Sequence, residues 1–402
     1  MVQQTSRHSS SHPRARFARA GILALALLAV AGCGGGDGNG GGPIGNPAPT
    51  PAPSPAPTTG AVASQAVATF DSPWAMVFLP DGRMLVTELP GRLRVATQAG
   101  AIGTPVTGVP AVAAGGQGGL LDVAFDPAFA SNGRIYLSYA ESGTGGSGLA
   151  VARGRLQINA DNSASLSEVA VIWRQQPKIA NETRHYGGRM AFAPDGMLLV
   201  TAGERHQGAP AQDPATTLGK IIRIRPDGSI PPDNPLVGTA GARGEIWSLG
   251  HRNPYGLVFA SDGRLFESEM GPEGGDEFNL VTRGANYGWR IVSEGSDGGV
   301  VLPRHSTRPD FAAPLVSWTP VIAPGGMIQY TGTAFVGWTG DFVLAGLVAQ
   351  GLVRVRVSGS TASEVGRIGL GRRIREVEQG PDGAIWVLED GTGGRLLKLT
   401  PQ

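Results

Sequence analysis

The sequence predicts an all-β protein, a six-bladed β-propeller, and three observations predict it. Glycine and proline supply 63 and 31 of 402 residues, about 23% against roughly 12% in average usage. A turn-plus-strand pattern recurs six times. A second pattern, a glycine followed by a basic or polar residue and then alternation, recurs five times, each copy shortly after a copy of the first. With 41% hydrophobic and only 16% charged residues, the chain is no disordered polymer, and its turn content excludes a long helical bundle.

Taken in chain order, residues 1–33 read as a targeting segment. Arg14, Arg16 and Arg19 form a positive n-region, and the apolar run Gly21 to Val30 is shorter than the roughly 20 residues that span a bilayer. The run ends Val30, Ala31, Gly32, Cys33, and Cys33 is the only cysteine, an arrangement that resembles a bacterial lipobox whose thiol takes a lipid. No intrachain disulfide is possible. Residues 34–60, first glycine-rich and then alternating Pro and Ala, have the composition of a flexible and then extended spacer. Gly34 stands where an acidic retention signal would sit, so resemblance to Gram-negative lipoproteins implies an outer-membrane anchor through the lipid on Cys33, with the body facing the periplasm. Setting aside four leader arginines and Asp37, residues 61–402 carry 29 basic against 31 acidic side chains, a net charge of −2. That body lacks the basic stripe that supplies nucleic-acid affinity, so nucleic acid is excluded as a partner.

The body is one propeller domain, 61–402, set by its repeats. The first pattern appears as PDGRMLVTE (Pro80 to Glu88), NGRIYLSYA (Asn132 to Ala140), PDGMLLVTAGE (Pro194 to Glu204), SDGRLFESE (Ser261 to Glu269), TGDFVLAG (Thr339 to Gly346) and PDGAIWVLED (Pro381 to Asp390). An Asp-Gly or Asn-Gly pair suits a tight turn with positive φ, and the apolar run after it reads as a buried strand. The second appears as GRLRVAT at Gly91, GRLQIN at Gly154, GKIIRIR at Gly219, GLVRVRV at Gly351 and GRLLKLT at Gly394. The spacing, about 60 residues, suits one four-stranded blade with long loops. The last strand, Gly394 to Thr400, is expected to share a blade with Val62 to Asp71 and close the ring. A β-sandwich also repeats short strands, but it does not need six similar units.

Between the repeats lie GGQGGLLDVAF (Gly115 to Phe125), RHYGGRMAFAPDG (Arg184 to Gly196), GHRNPYGLVF (Gly250 to Phe259) and EMGPEGGDEFNLVTRGANYGW (Glu269 to Trp289). These, with SWTPVIAPGGM (Ser317 to Met327) and RRIREVEQGPDG (Arg372 to Gly383), resemble in order the soluble PQQ-dependent sugar dehydrogenases, especially the aldose sugar dehydrogenases, from about Ser72 to the C-terminus.

The resemblance implies oxidation of the anomeric hydroxyl of an aldose to a lactone, with hydride passing to PQQ and electrons to an external acceptor. His185 matches the family's base, and an imidazole titrating near neutrality suits removal of the hydroxyl proton. Glu204 matches the acidic residue that orients it. Arg373 and Arg375, two apart and so on one face of a strand, match the cofactor-binding Arg-x-Arg, and guanidinium forks suit PQQ's three carboxylates. Gln117, Arg252 and Asn253 match further cofactor positions. The carbonyls of Gly271 and Pro272 match those that hold a catalytic calcium ion, and Glu277 and Tyr287 match a structural calcium position. Trp289, Trp318 and Tyr255 could supply apolar faces for the sugar or the quinone ring, but aromatic residues in propellers are more often blade packing, so they are assigned no role.

Two positions depart from the family. Arg184 stands where Asp or Asn usually precedes the histidine, and Val348, in AGLVAQG, where a lysine contacts the cofactor. Arg184 is a candidate to compensate electrostatically for that lysine. The second reading is therefore a tethered propeller that has lost the cofactor and binds a glycan or a protein, and a third is a calcium-dependent lactonase. No CxxCH haem motif is present, so the acceptor is a separate molecule, and a monomer is expected.

Overall fold

The computed structural model describes residues 62–402, so the expectations for the leader, Cys33 and the linker fall outside the described residues. Six antiparallel blade sheets follow one another along the chain, and a small two-stranded sheet, Ser296–Asp297 with Val300–Val301, lies between the third and fourth strands of the fourth blade. Blade 1 is Pro73–Phe78, Met84–Glu88 and Arg92–Ala96, and blade 2 is Leu120–Phe125, Arg134–Gly143, Gly146–Ile158 and Ala164–Arg174. Blade 3 is Gly187–Phe192, Leu198–Ala202, Lys220–Ile224 and Ile246–Leu249; blade 4 is Pro254–Phe259, Leu265–Glu269, Asp276–Val281 and Val316–Trp318. Blade 5 is Pro324–Gln329, Phe342–Gly346, Gly351–Ser358 and Thr361–Gly369. Blade 6 is Ile374–Gln379, Ile385–Glu389, Thr392–Pro401 and, as its outer strand, Val62–Asp71. The last two pair antiparallel from Val62 with Pro401 to Asp71 with Thr392, so the chain's two ends close the ring. The first strands of successive blades contact one another around that ring. Blade 1 departs from the four-stranded expectation: past Ala96 the chain hydrogen-bonds back irregularly, Gly103 N to Val95 O at 2.8 Å and Val106 N to Leu93 O at 2.8 Å, without forming a regular fourth strand.

The first sequence pattern is the turn between the first and second strands of each blade. Asp81, Asp195, Asp262 and Asp382 each accept on Oδ1 the backbone N–H two residues on, at 3.0, 3.0, 3.0 and 3.2 Å. The glycine that follows each aspartate has φ between 78° and 85°, a conformation that a side chain disfavours. The second pattern is the third strand in five blades. It has no copy in blade 4, whose third strand is Asp276–Val281.

An apolar cluster fills each seam between neighbouring blades. Leu199, Ile221, Leu257 and Leu265 join blades 3 and 4; Phe266, Phe278, Phe342 and Val353 join 4 and 5; Phe70, Met76, Val86 and Trp386 join 6 and 1. Each such buried side chain contributes roughly 1.5–3 kcal/mol, which makes the seams the scaffold on which the loops at one rim are held.

Candidate active site

His185 precedes the first strand of blade 3, with φ at 52°, and it is only 5% exposed. Its position depends on Gly203, which follows the second strand of that blade. A Cβ on Gly203 would lie 2.3 Å from the His185 carbonyl oxygen, so only glycine lets the two segments pass this closely. Gly203 N donates to Tyr186 O at 3.0 Å and Arg205 N to His185 O at 3.2 Å. The next side chain, Glu204, then meets the ring: its Oε1 is 2.5 Å from His185 Nδ1, and its Oε2 accepts Gly208 N at 2.5 Å. Arg205 locks the histidine loop, stacking 3.6 Å over the Tyr186 ring and donating to the carbonyls of Arg184 and Ser147 at 2.9 and 2.7 Å.

Burial pushes the His185 pKa below its ordinary value; Glu204 pulls it up but does not prevail, and Arg252 adds to the lowering. Burial pushes the Glu204 carboxyl up, but the hydrogen bonds from His185 and Gly208, with the Arg252 charge beside them, outweigh this and hold it below the usual range. The pair is therefore a neutral imidazole on an ionised carboxylate at neutral pH, with Nδ1–H donated to Glu204 and Nε2 left as acceptor.

On the other side, Gln117 Oε1 accepts His185 N at 2.6 Å and Tyr255 Oη–H at 3.2 Å. Gln117 and Tyr255 line a cavity of about 360 Å³ with Trp74, Arg373, Arg375 and Asp390. Both arginines reach Asp390, at 2.8 Å from Arg373 Nε and 2.7 Å from Arg375 Nη2, as their two-residue spacing requires. Arg252 opens instead on a neighbouring cavity of about 150 Å³ shared with Glu204, Trp289 and Asp297. Its Nη1 donates to Met270 O at 3.0 Å, whereas its buried Nε has no partner among the described residues. Asn253, fully buried, accepts Gly187 N at 3.2 Å on Oδ1 and leaves Nδ2 without an acceptor. Orphaned donors, two guanidinium forks and the faces of Trp74 and Tyr255 fit a flat group rich in carboxylates and carbonyls, as PQQ is.

In blade 4, Glu269 pairs with Glu277 and Glu267 with Asn279 across the second and third strands. The period of two puts these four side chains on one face, where His251 Nδ1 lies 3.4 Å from Glu269 and 3.7 Å from Glu267. Asn279 Nδ2 donates to Glu267 at 2.7 Å and to Glu277 at 3.1 Å, and Glu267 Oε2 has no partner. Burial lifts Glu267 to about 7, and burial together with Glu269 lifts Glu277 well above the carboxylate range. Burial opposes the charging of His251, but the hydrogen bonds to Glu267 and Glu269 raise it to about 9.

Three buried carboxylates around one imidazolium leave an acidic excess that fits a divalent cation. Beside them a space of about 10 Å³, enough for one small ion or water, is lined by Gly271, Glu277 and Tyr287 but not by Pro272. The carbonyls of Gly271 and Pro272 accept no hydrogen bond among the described residues; the Tyr287 carbonyl takes one, from His305 Nε2 at 3.0 Å. Asp276 fixes this loop by accepting Gly271 N at 2.9 Å and Ile322 N at 2.7 Å.

The two departures separate. Arg184 forms a two-pronged pair with Glu182 at 2.9 and 2.8 Å, and the hydrogen bonds from Arg184 lower Glu182 to about 2. Its charge is therefore already matched, which argues against compensation for the missing lysine. Val348 is half exposed, next to Leu347 on the wall of the larger cavity. Sequence reasoning missed Asp390, Glu182, Trp74, His251, Glu267 and Glu269, and it gave Tyr255 and Trp289 no role. The alternation Glu267-x-Glu269 directly before the Gly-Pro loop was the available signal for the acidic face; Asp390 and Trp74 are joined to the site only by long-range pairing, whereas Glu182 and His251 lie beside Arg184 and Arg252 in the sequence.

Residues 70–398 match the family model described as Glucose / Sorbosone dehydrogenase. The chain belongs to this family, the soluble PQQ-dependent sugar dehydrogenases. It is 39% identical over 342 residues to the aldose sugar dehydrogenase YliI of Escherichia coli, covering 83% of this chain and 91% of that protein. The crystal structure of the soluble aldose sugar dehydrogenase from Escherichia coli in the apo-form matches with a TM-score of 0.79 at 37% identity, over 85% of this chain and 100% of that one. The PQQ-bound aldose sugar dehydrogenase of Streptomyces coelicolor matches with a TM-score of 0.70 at 28% identity, over 86% and 100%.

Proposed function

We propose that the protein is a PQQ- and calcium-dependent aldose dehydrogenase that oxidises the anomeric hydroxyl of a sugar to a lactone and passes two electrons to an external acceptor. The observation that carries this reading is the buried His185–Glu204 pair, 2.5 Å apart, with Glu204 lining one cavity and Gln117, bonded to the His185 amide, lining the other. Gln117, Arg252, Asn253, Arg373 and Arg375 would hold PQQ; Gly271 and Pro272 would hold one calcium ion, and Glu277 and Tyr287 a second, structural one. When bound, PQQ supplies a quinone carbonyl that accepts hydride, and calcium supplies the positive charge that polarises it.

His185 does the proton chemistry. Its Nε2 takes the anomeric hydroxyl proton as hydride leaves carbon, and Glu204 fixes the tautomer and stabilises the imidazolium that forms. Burial keeps the ring neutral, hence basic, before substrate arrives, and Arg205 keeps the loop from drifting. Arg252, close enough to lower the pKa of His185, favours return of the proton after turnover.

The test is reconstitution of the chelator-stripped protein with PQQ and calcium, with an artificial acceptor followed over a panel of aldoses. Activity that needs both additions and vanishes in His185→Ala supports the reading. Absence of both PQQ binding and activity overturns it and leaves a tethered binding propeller. The chain would act as a monomer, anchored through lipid on Cys33 to the outer membrane on its periplasmic side; failure of wild-type protein to incorporate labelled palmitate, or equal incorporation by Cys33→Ser, would remove that anchor.

A further inference from the structure

We propose that a groove beside the larger cavity binds a small anionic electron acceptor, recognised by Arg372; this inference rests on the dehydrogenase reading and names the partner of that site. The groove has a volume of about 630 Å³ and is lined by Arg372, Arg373, Glu389, Asp390, Thr392 and Arg395 among others. It shares Arg373 and Asp390 with the cavity that suits the cofactor, so an occupant stands one side-chain layer away from it.

Charge decides what the groove favours. Glu389 is taken by Arg395 Nε at 2.7 Å, and Asp390 by Arg373 and Arg375 at 2.8 and 2.7 Å. Arg372 is exposed and has no hydrogen-bond or ion-pair partner among the described residues. Along the groove three guanidinium groups, Arg372, Arg373 and Arg395, stand against Glu389 and Asp390, which leaves a local charge of +1, that of the unpaired Arg372, on a body whose net charge is −2. The adjoining Asp71 and Glu88 are matched by Arg92 and Arg94. No aromatic ring lines the groove, so it offers a sugar no stacking face, and its volume is that of a small-molecule site. Each lactone formed releases two electrons and two protons, and two equivalents of a one-electron acceptor such as ferricyanide take the electrons.

The probes are ferricyanide, an anion, and phenazine methosulfate, a cation, with wild-type holoenzyme, R372Q and R372E at saturating aldose. The KM for ferricyanide should rise about threefold in R372Q and about tenfold in R372E. The rise should shrink with added salt, and the KM values for phenazine methosulfate and aldose should not rise. Ferrocyanide binding to holoenzyme and to cofactor-free protein, read by calorimetry, should weaken by the same factors. Equal changes for both acceptors, or no change, overturn the inference while leaving the dehydrogenase in place. Ferrocyanide binding that disappears on loading PQQ overturns it too, because the cofactor then fills the groove. If no aldose is oxidised under any condition, the acceptor role falls with the dehydrogenase reading even where ferrocyanide binding depends on Arg372.

Discussion

Replacement of Glu204 by glutamine tests the central pair, because it keeps shape and removes charge. Both carboxylate oxygens are in use, one on His185 Nδ1 at 2.5 Å and one on Gly208 N at 2.5 Å. A glutamine has one acceptor and one NH2 group for these two donors, so one N–H must face another, or the imidazole must take the other tautomer and lose its free Nε2. A buried hydrogen bond to a charged group contributes about 1.5–3 kcal/mol, and 1.36 kcal/mol is a factor of about ten in rate. The expected fall in kcat/KM is therefore roughly 10- to 150-fold.

The pH profile gives a second, opposite signature. His185 acts only when neutral, so activity is lost on the acid side as pH falls through its pKa. Burial lowers that pKa and Glu204 partly restores it, so removal of the carboxylate moves the acid limb to lower pH while the plateau falls. Rate profiles of both proteins, with an NMR titration of the imidazole in cofactor-free protein, measure the two effects separately. An acid limb that stays in place or moves up, or a plateau within twofold of wild type, refutes the assigned role of Glu204.

Arg375→Ala removes the more buried of the two guanidinium groups on Asp390, and the PQQ dissociation constant from equilibrium dialysis should rise about 10- to 100-fold; an unchanged constant removes Arg375 from the cofactor site. Calcium at 100 times its dissociation constant should stabilise the wild type by about 2.7 kcal/mol, roughly 3–6 °C in melting temperature. Glu277→Gln should abolish that rise, and calorimetric melting with and without chelator reads both. Glu376, buried on the inner strand of blade 6 and paired with Arg189, is pushed by burial to about 7 against an ordinary 4.5. Because the folded-state value is the higher one, the unfolded chain ionises first. Stability should then fall by about 3 kcal/mol between pH 4.5 and 7 and level off above, and Glu376→Gln should flatten that slope in denaturant titrations across this range.

The fold was legible because its signals are local. An Asp-Gly pair followed by an apolar run specifies a turn and a strand without reference to the rest of the chain, and six copies fix the number of blades. Ring closure was legible too, since the alternating Gly394–Thr400 segment needed a partner and Val62–Asp71 was the unassigned strand. The site was legible only at residues carried in motifs: Gln117, Arg373 and Arg375 line one cavity, Glu204 and Arg252 its neighbour, and His185 sits between them, bonded to Gln117 and Glu204. Asp390, which holds both arginines, lies 15 residues beyond Arg375 and looks like an ordinary turn residue. Tyr255 looked like packing because its ring does pack, edge-on against Trp74 at 5.8 Å, while its hydroxyl alone reaches Gln117. Arg184 misled in the opposite direction, since its charge is matched by Glu182 two residues before it.

Blade 4 shows why the broken repeat coincides with the chemistry. In the other five blades the third strand carries the glycine-led repeat; here Asp276–Val281 buries Glu277 and Asn279 opposite Glu269 and Glu267. Burial of several carboxylates costs several kcal/mol each unless cations match them, and His251 supplies a single positive charge. Such a face survives folding only on a scaffold whose stability comes from elsewhere, and the apolar seams on both sides of the blade, around Leu257 and Phe278, provide it. The same acidic face adjoins the tight loop at Gly271, where a Cβ would lie 2.3 Å from the carbonyl oxygens of Gly274 and Gly275. A turn this tight at Gly271 leaves the carbonyls of Gly271 and Pro272 without hydrogen-bond donors among the described residues, and the buried carboxylates lie behind it. On the calcium-dependent reading proposed above, a bound divalent ion would relieve the strain of the one and the electrostatic cost of the other together, and both belong to the blade that abandons the repeat.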